Sequence, residues 1–181
     1  MRWIVYVLFW LKVENRHYIP IGFMSPKDIA SGSALIVPDA TPYHLGVLSS
    51  AMHMAWIKQV GGRLESRFQY SNNIIYNNYP WPEPTEAQRT AIEECAQAVL
   101  DARAKYPAST LADLYDPVTM PADLARAHTK LDRAVDRAYR KEEFPNDRAR
   151  VEHLFALYQK LTSPLLPISE KKRTRKSVQK S

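Results

Sequence analysis

Asn77-Asn78-Tyr79-Pro80-Trp81-Pro82-Glu83-Pro84-Thr85 divides this chain of 181 residues into two parts with different patterns. Prolines at every second position remove backbone donors, fix φ, and push each preceding residue out of the helical region, so no helix can run through the stretch. It predicts a stiff, extended crossing. Short apolar runs and turn residues lie on its N-terminal side, and long helical periods on its C-terminal side. The expected organisation is one unit over 1–82, a second over 83–167 and a basic tail over 168–181.

Upstream of the crossing, Trp3 to Leu11 is a continuous apolar run. It is too short to span a bilayer, which takes about 20 residues. Lys12, Glu14 and Arg16 follow at once, with no small-residue cleavage site, which argues against a secretion signal. Ile4, Val5, Tyr6, Val7 and Phe9 suit a buried strand. Tyr18–Phe23 and Ala34–Pro38 are further short apolar runs, ended by Gly or Pro. From Tyr43 to Val60 the period becomes helical, with Leu45, Leu48, Met52, Trp56 and Val60 on one face. Gly61-Gly62 stops that helix.

Downstream, Thr85 and Gln88 have the form of a capping box, opening a helix with Ile92, Cys95, Val99 and Ala102 inward and Pro107 at its end. Leu111–Tyr115 predicts a single helical turn. A second long helix starts near Pro121 and buries Leu124, Ala127, Leu131, Val135 and Ala138. Asn146 caps a third, with Val151, Leu154, Phe155, Tyr158 and Leu161 inward. The expected fold class is therefore α+β: short strands and one long helix in the N-terminal part, then an all-α, three-helix C-terminal part sharing one core. From Ser169 onward the apolar period is lost, which predicts a disordered tail.

The net charge is +6, with the excess at the two ends and a near-neutral middle. One cysteine, Cys95, excludes an internal disulfide and a cysteine-cluster zinc site, and fits a cytoplasmic, reducing compartment; on its apolar helical face it reads as a small core residue. No membrane partner is expected. The five glycines form no G-x-G or P-loop cradle, and the five histidines form no H-E-x-x-H pair, so no cofactor, metal or catalytic residue is expected in this chain. Asp132 and Asp136 lie one turn apart, interleaved with Arg133 and Arg137, which predicts an exposed ion-pair face. Asp136 and Arg140 have a favourable i,i+4 spacing.

Gly62-Arg63-Leu64-Glu65-Ser66-Arg67-Phe68-Gln69-Tyr70-Ser71-Asn72-Asn73 places arginines, a glutamate, amides and aromatics in one non-helical segment. Arg bonds a guanine edge in two places, Glu accepts from cytosine N4, and Asn or Gln pairs with adenine. Arg63, Glu65 and Arg67 are the base-reading candidates. On an extended segment Glu65 and Arg67 point the same way and can address one C·G pair. Lys58, Tyr70, Asn72 and Asn73 are candidate phosphate or sugar contacts. An ordinary polar loop, with Glu65 and Arg67 paired to each other, is the alternative.

Several strings taken together resemble one family. They are Tyr18–Phe23, Met52-His53-Met54-Ala55-Trp56, Gly62–Arg67, Tyr76–Pro82, Leu114-Tyr115-Asp116-Pro117 and Leu131–Tyr139. In content and order they resemble the C-terminal part of MmeI-like DNA methyltransferases, from about Arg16 to about Leu161. Those are single-chain restriction–modification enzymes that methylate adenine N6 with S-adenosylmethionine. The resemblance implies that residues up to about Pro82 are the end of a target-recognition domain and those from Glu83 a helical C-terminal domain. It implies duplex DNA and an upstream methyltransferase domain as partners. The family's Asn-Pro-Pro-aromatic motif is not reproduced by Asn78-Tyr79-Pro80-Trp81-Pro82, and its cofactor glycines are absent. The implied function is a DNA-recognition portion that is inactive alone, with S-adenosylmethionine held elsewhere in a complete enzyme. The alternative is a helical protein–protein interaction module without DNA binding, which the near-neutral middle block and the amphipathic helices would suit.

Overall fold

A computed structural model describes residues 4–7, 16–24, 27, 29, 35–64 and 67–163. The tail over 168–181 and residues Glu65 and Ser66 lie outside the described residues. The apolar run near the N-terminus supplies β1 (Ile4–Val7), the central strand of an antiparallel sheet between β2 (Ile21–Met24) and β3 (Leu35–Val37). Val5 stands opposite both Phe23 and Val37.

The single helix expected from Tyr43 to Val60 is two, α1 (Pro42–Leu48) and α2 (Ala51–Val60). The break falls at Ser49-Ser50. The Ser49 hydroxyl donates to the Leu45 carbonyl at 2.5 Å and that of Ser50 to the Val47 carbonyl at 2.7 Å. Ser50 has extended backbone and caps α2 by accepting from the His53 N–H. The apolar spacing hides this break, because Leu48 and Met52 remain four apart across it. Gly61 ends α2 where a Cβ would sit 2.5 Å from the Ile57 carbonyl oxygen.

Beyond the helix come β4 (Gly62–Leu64), β5 (Arg67–Gln69), a π-helical turn (Asn72–Tyr76) and the proline crossing. Aromatic hydroxyls pin the crossing. Tyr139 donates to the Pro80 carbonyl at 2.9 Å and lies 2.8 Å from the Tyr79 hydroxyl, and Tyr43 reaches the Pro82 carbonyl at 3.4 Å. The remaining helices are α3 (Glu86–Ala104), the short α4 (Leu111–Leu114), α5 (Ala122–Tyr139) and α6 (Asp147–Thr162). Thr85 with Gln88, and Asn146, cap α3 and α6 as the sequence predicts.

The C-terminal helices share their core with the N-terminal part. Whereas α3 packs on α5 and on α1, α6 packs on α2. Trp56 of α2 lies 5.3 Å from the Phe155 ring and 6.1 Å from the Tyr158 ring of α6. Leu161, expected inward, is 59% exposed at the end of α6. Cys95 is partly buried against the core. Among the described residues no helix is long and apolar enough to cross a membrane.

Asp132 and Asp136 are buried, not on an exposed ion-pair face. The Asp132 carboxylate accepts the Ala51 N–H at 2.7 Å and the Tyr18 hydroxyl at 2.7 Å, so it caps α2 from another helix. Asp136 takes a two-pronged bond from Arg150, at 3.0 and 2.8 Å. Arg140 is not its partner; it lies over the Phe144 ring at 3.7 Å. Both aspartates lie beside the apolar stripe of α5, and long-range partners there override the local i,i+4 pattern. Deeper still, Arg103 donates to the Ile21 carbonyl at 2.6 Å and to the Tyr115 hydroxyl, which lies 2.6 Å from His128 Nε2.

Burial pushes the His53 and His128 imidazoles down to about 3, with Arg103 adding to the effect at His128, and raises the Asp132 carboxyl to about 6. Between pH 6.5 and 4 the unfolded histidines take protons that the folded ones refuse, at about 3 kcal/mol each by pH 4. Asp132 has the opposite sign: it binds its proton earlier in the folded state and returns about 2 kcal/mol. The histidines win. Stability in urea titrations should therefore fall as pH drops from 6.5 to 4, and His128→Gln should flatten that fall while lowering stability at pH 7. A second expectation concerns Gly46, where a Cβ would meet Ile92 of α3 at 2.7 Å and Leu131 of α5 at 3.2 Å. Gly46→Ala should cost about 1–3 kcal/mol by overpacking, read as a lowered midpoint in the same titration.

Candidate nucleic-acid interface

β4 and β5 form a two-stranded antiparallel ribbon, with Gly62 opposite Gln69, Arg63 opposite Phe68 and Leu64 opposite Arg67. Arg63 and Arg67 therefore belong to the two strands of one ribbon. Glu65 lies outside the described residues. Gly62–Leu64 and Arg67–Gln69 are antiparallel partners rather than one continuous strand, and where Glu65 stands relative to Arg67 lies outside the described residues. Side-chain alternation holds only along a single strand.

Both ends of the ribbon return to α2. Its entry follows directly from Gly61. At its exit the Tyr70 hydroxyl lies 3.1 Å from Nε2 of His53, which is buried on α2 with its ring edge-on to Tyr79 at 4.5 Å. Burial raises the Tyr70 pKa, so the phenol stays neutral. Ser71 then caps the π-helical turn by accepting from the Ile74 N–H, and the Trp56 indole donates to the Ile75 carbonyl at 3.1 Å. Six consecutive residues, Met52 to Ile57, are buried, so the middle of α2 is covered all round and acts as the ribbon's fixed base.

Beside the ribbon a half-open groove of about 280 Å³ runs between β3 and the π-helical turn, with Ile36 and Pro38 on one wall and Tyr70, Asn72, Asn73 and Tyr76 on the other. Asn72 and Asn73 are exposed. Lys58, at the end of α2, is exposed and pairs with Asp147 at 3.2 Å. Thus the structure brings Tyr70, Asn72 and Asn73 together at one groove and puts Lys58 at the helix end from which the ribbon springs. His53, Tyr76 and Ile36 were not singled out from the sequence. For His53 a signal was available: it sits within an apolar run too continuous for a one-faced helix. Among the described residues no cluster of His, Cys, Asp or Glu could hold a metal ion.

Comparison with known proteins gives two family matches, the MmeI target recognition domain over residues 6–83 and the MmeI C-terminal domain over residues 84–166. The first begins earlier than Arg16, where the sequence resemblance starts. DNA methyltransferase A of Bacillus subtilis (strain 168) is 45% identical over 149 residues, which is 82% of this chain and 17% of that protein. A solved structure of the Type IIL restriction–modification enzyme MmeI in complex with DNA matches with a TM-score of 0.84 at 47% identity, covering 89% of this chain and 21% of that one. The chain thus spans about a fifth of the length of these relatives.

The two kinds of groove residue should separate in a stability assay. Tyr70→Phe leaves buried His53 Nε2 without its hydroxyl and should cost about 1–3 kcal/mol in urea unfolding. Asn72→Ala and Asn73→Ala, at exposed positions, should each stay within about 0.5 kcal/mol of the parent.

Proposed function

This chain belongs to the MmeI family, matching its target-recognition and C-terminal domains, and on that premise we propose that it binds duplex DNA and chooses the sequence at which a complete enzyme methylates adenine N6. The observation that carries the proposal is the β4–β5 ribbon, short, antiparallel, held at both ends by α2 and bearing two arginines. A two-stranded ribbon fits the major groove of B-DNA, where each base pair shows a distinct set of donors and acceptors.

In this reading Arg67 bonds guanine O6 and N7 while Glu65, two residues before it in the sequence, accepts from cytosine N4 of the same pair. Arg63 supplies a further base or phosphate contact from β4. Lys58, Tyr70, Asn72 and Asn73 contact sugar and phosphate. The two asparagines are the readiest of these, because they are exposed. Lys58 must leave Asp147, a surface pair worth at most about 1 kcal/mol. Tyr70 must release His53 or act through its ring edge. The S-adenosylmethionine chemistry belongs to an upstream methyltransferase domain, and this portion sets where it acts.

The test is selection of bound duplexes from a library randomised at each position. Glu65→Lys combined with Arg67→Asp puts a donor where cytosine was read and an acceptor where guanine was read, so preference should invert from C·G to G·C at one position only. Each single variant should lose about 1–3 kcal/mol of discrimination there. An unchanged preference at every position would remove these residues from base reading. No affinity for DNA at low salt would favour a protein-docking module instead.

A further inference from the structure

The outer face of α5 carries Arg126, Lys130, Arg133 and Arg137, all exposed. At 3.6 residues per turn these four fall within an arc of about 60°, opposite Leu124, Leu131 and Val135 in the core. None of the four side chains has a hydrogen bond or ion pair among the described residues. Several other exposed or half-exposed cations do have partners, Lys58 with Asp147, Arg89 with Glu93, Lys105 with Asp123 and Arg148 with Glu152, whereas Lys141 and Lys160 stand singly off α5. The acidic groups of α5 itself are turned elsewhere. Asp132 and Asp136 are buried and bonded as described, and Asp123 is held by Lys105 and Tyr106. Glu142 and Glu143 edge a hollow shared with Arg133 and Arg137, but make no ion pair with them. The near-neutral balance of the C-terminal part thus conceals a single-sign stripe, because its acids are buried, paired or on other helices.

We propose that this stripe is a second DNA contact, gripping the sugar–phosphate backbone without reading sequence. It rests on the reading of duplex DNA as the ligand, and adds a surface distant in sequence from the ribbon. From Arg126 to Arg137 the helix rises about 16 Å. A DNA strand presents a phosphate about every 3.4 Å of axis, so the stripe lies along about five phosphates. Among the described residues the exposed large apolar ones, Ile29, Ile36, Ile74, Val118 and Leu161, all lie off α5. A protein partner needs an apolar or aromatic centre in its interface, and this face offers none. Through its buried Asp132, which accepts the Ala51 N–H, α5 is also joined directly to the start of α2, the helix from which the ribbon springs.

The experiment replaces Arg126, Lys130, Arg133 and Arg137 together by Gln in the full chain. Binding to several unrelated duplexes is measured over about 50–200 mM salt, with far-UV circular dichroism as the check on folding. The slope of log K against log salt should flatten by about two to four units, affinity should fall alike for every duplex, and base preference should be unchanged. The charge-keeping pair Arg133→Lys and Arg137→Lys should retain the parent slope. If the parent binds and the fourfold variant keeps its slope and affinity, the stripe is not a DNA contact, whether or not Glu65→Lys with Arg67→Asp shifts the preference. Altered preference at single positions in the Gln variant would also overturn it. A parent chain that binds no duplex at low salt removes both readings. The exposed acids of α3, Glu86, Glu94 and Asp101, define one further outcome. If they meet the stripe of a second copy, the chain associates with itself and the DNA slope is unaffected by the Gln changes, which overturns the proposal.

Discussion

The carboxylate of Asp132 accepts one hydrogen bond from the first turn of α2 and another from Tyr18, just ahead of β2, while its own helix forms the centre of the C-terminal part. Three regions remote in sequence meet at one side chain. A helix N-terminus carries orphan N–H groups and a partial positive charge, so a buried carboxylate there is stabilised by what it satisfies. Burial nonetheless lifts its pKa to about 6, so desolvation exceeds the help from both donors. Everything attached to α2 inherits its position from this contact: the ribbon, the π-helical turn and the pinned crossing.

Local signals were legible in the sequence wherever a residue acts on its near neighbours. Thr85 and Gln88, Asn146, Pro121, Gly61 and the proline crossing all do in the structure what their chemistry dictates along the chain. Readings failed where a partner from far away decides. Ser49-Ser50 breaks a helix whose apolar period continues across it. Asp136 takes Arg150 rather than Arg140, and Asp132 lies inside although arginines flank it. For the candidate site, composition singled out the segment that forms the β4–β5 ribbon, but alternation along one continuous strand did not anticipate two antiparallel strands. Nothing in the residues between Leu64 and Arg67 is a strong hairpin signal, since the Asn-Gly and Asp-Gly pairs that favour such turns are absent.

The division of labour within the fold follows from burial. The middle of α2 is buried on all sides and has few degrees of freedom, whereas the ribbon it supports is short. Contacts made from such a base keep their geometry without a rearrangement of the core. The aromatic cluster of Tyr43, Tyr79, Trp81 and Tyr139 performs the same service for the crossing, fixing carbonyls that prolines leave without neighbouring donors.

The packing of α2 against α6 has a temporal consequence. Trp56 leaves the ribosome about a hundred residues before Phe155 and Tyr158, the rings that cover it. At about 5–20 residues per second that interval is several seconds to some twenty seconds. During it the helix that supports the ribbon has an open apolar flank. The order of synthesis therefore delays assembly of the reading surface until the last helix arrives, and exposes a hydrophobic side to chaperones in the meantime.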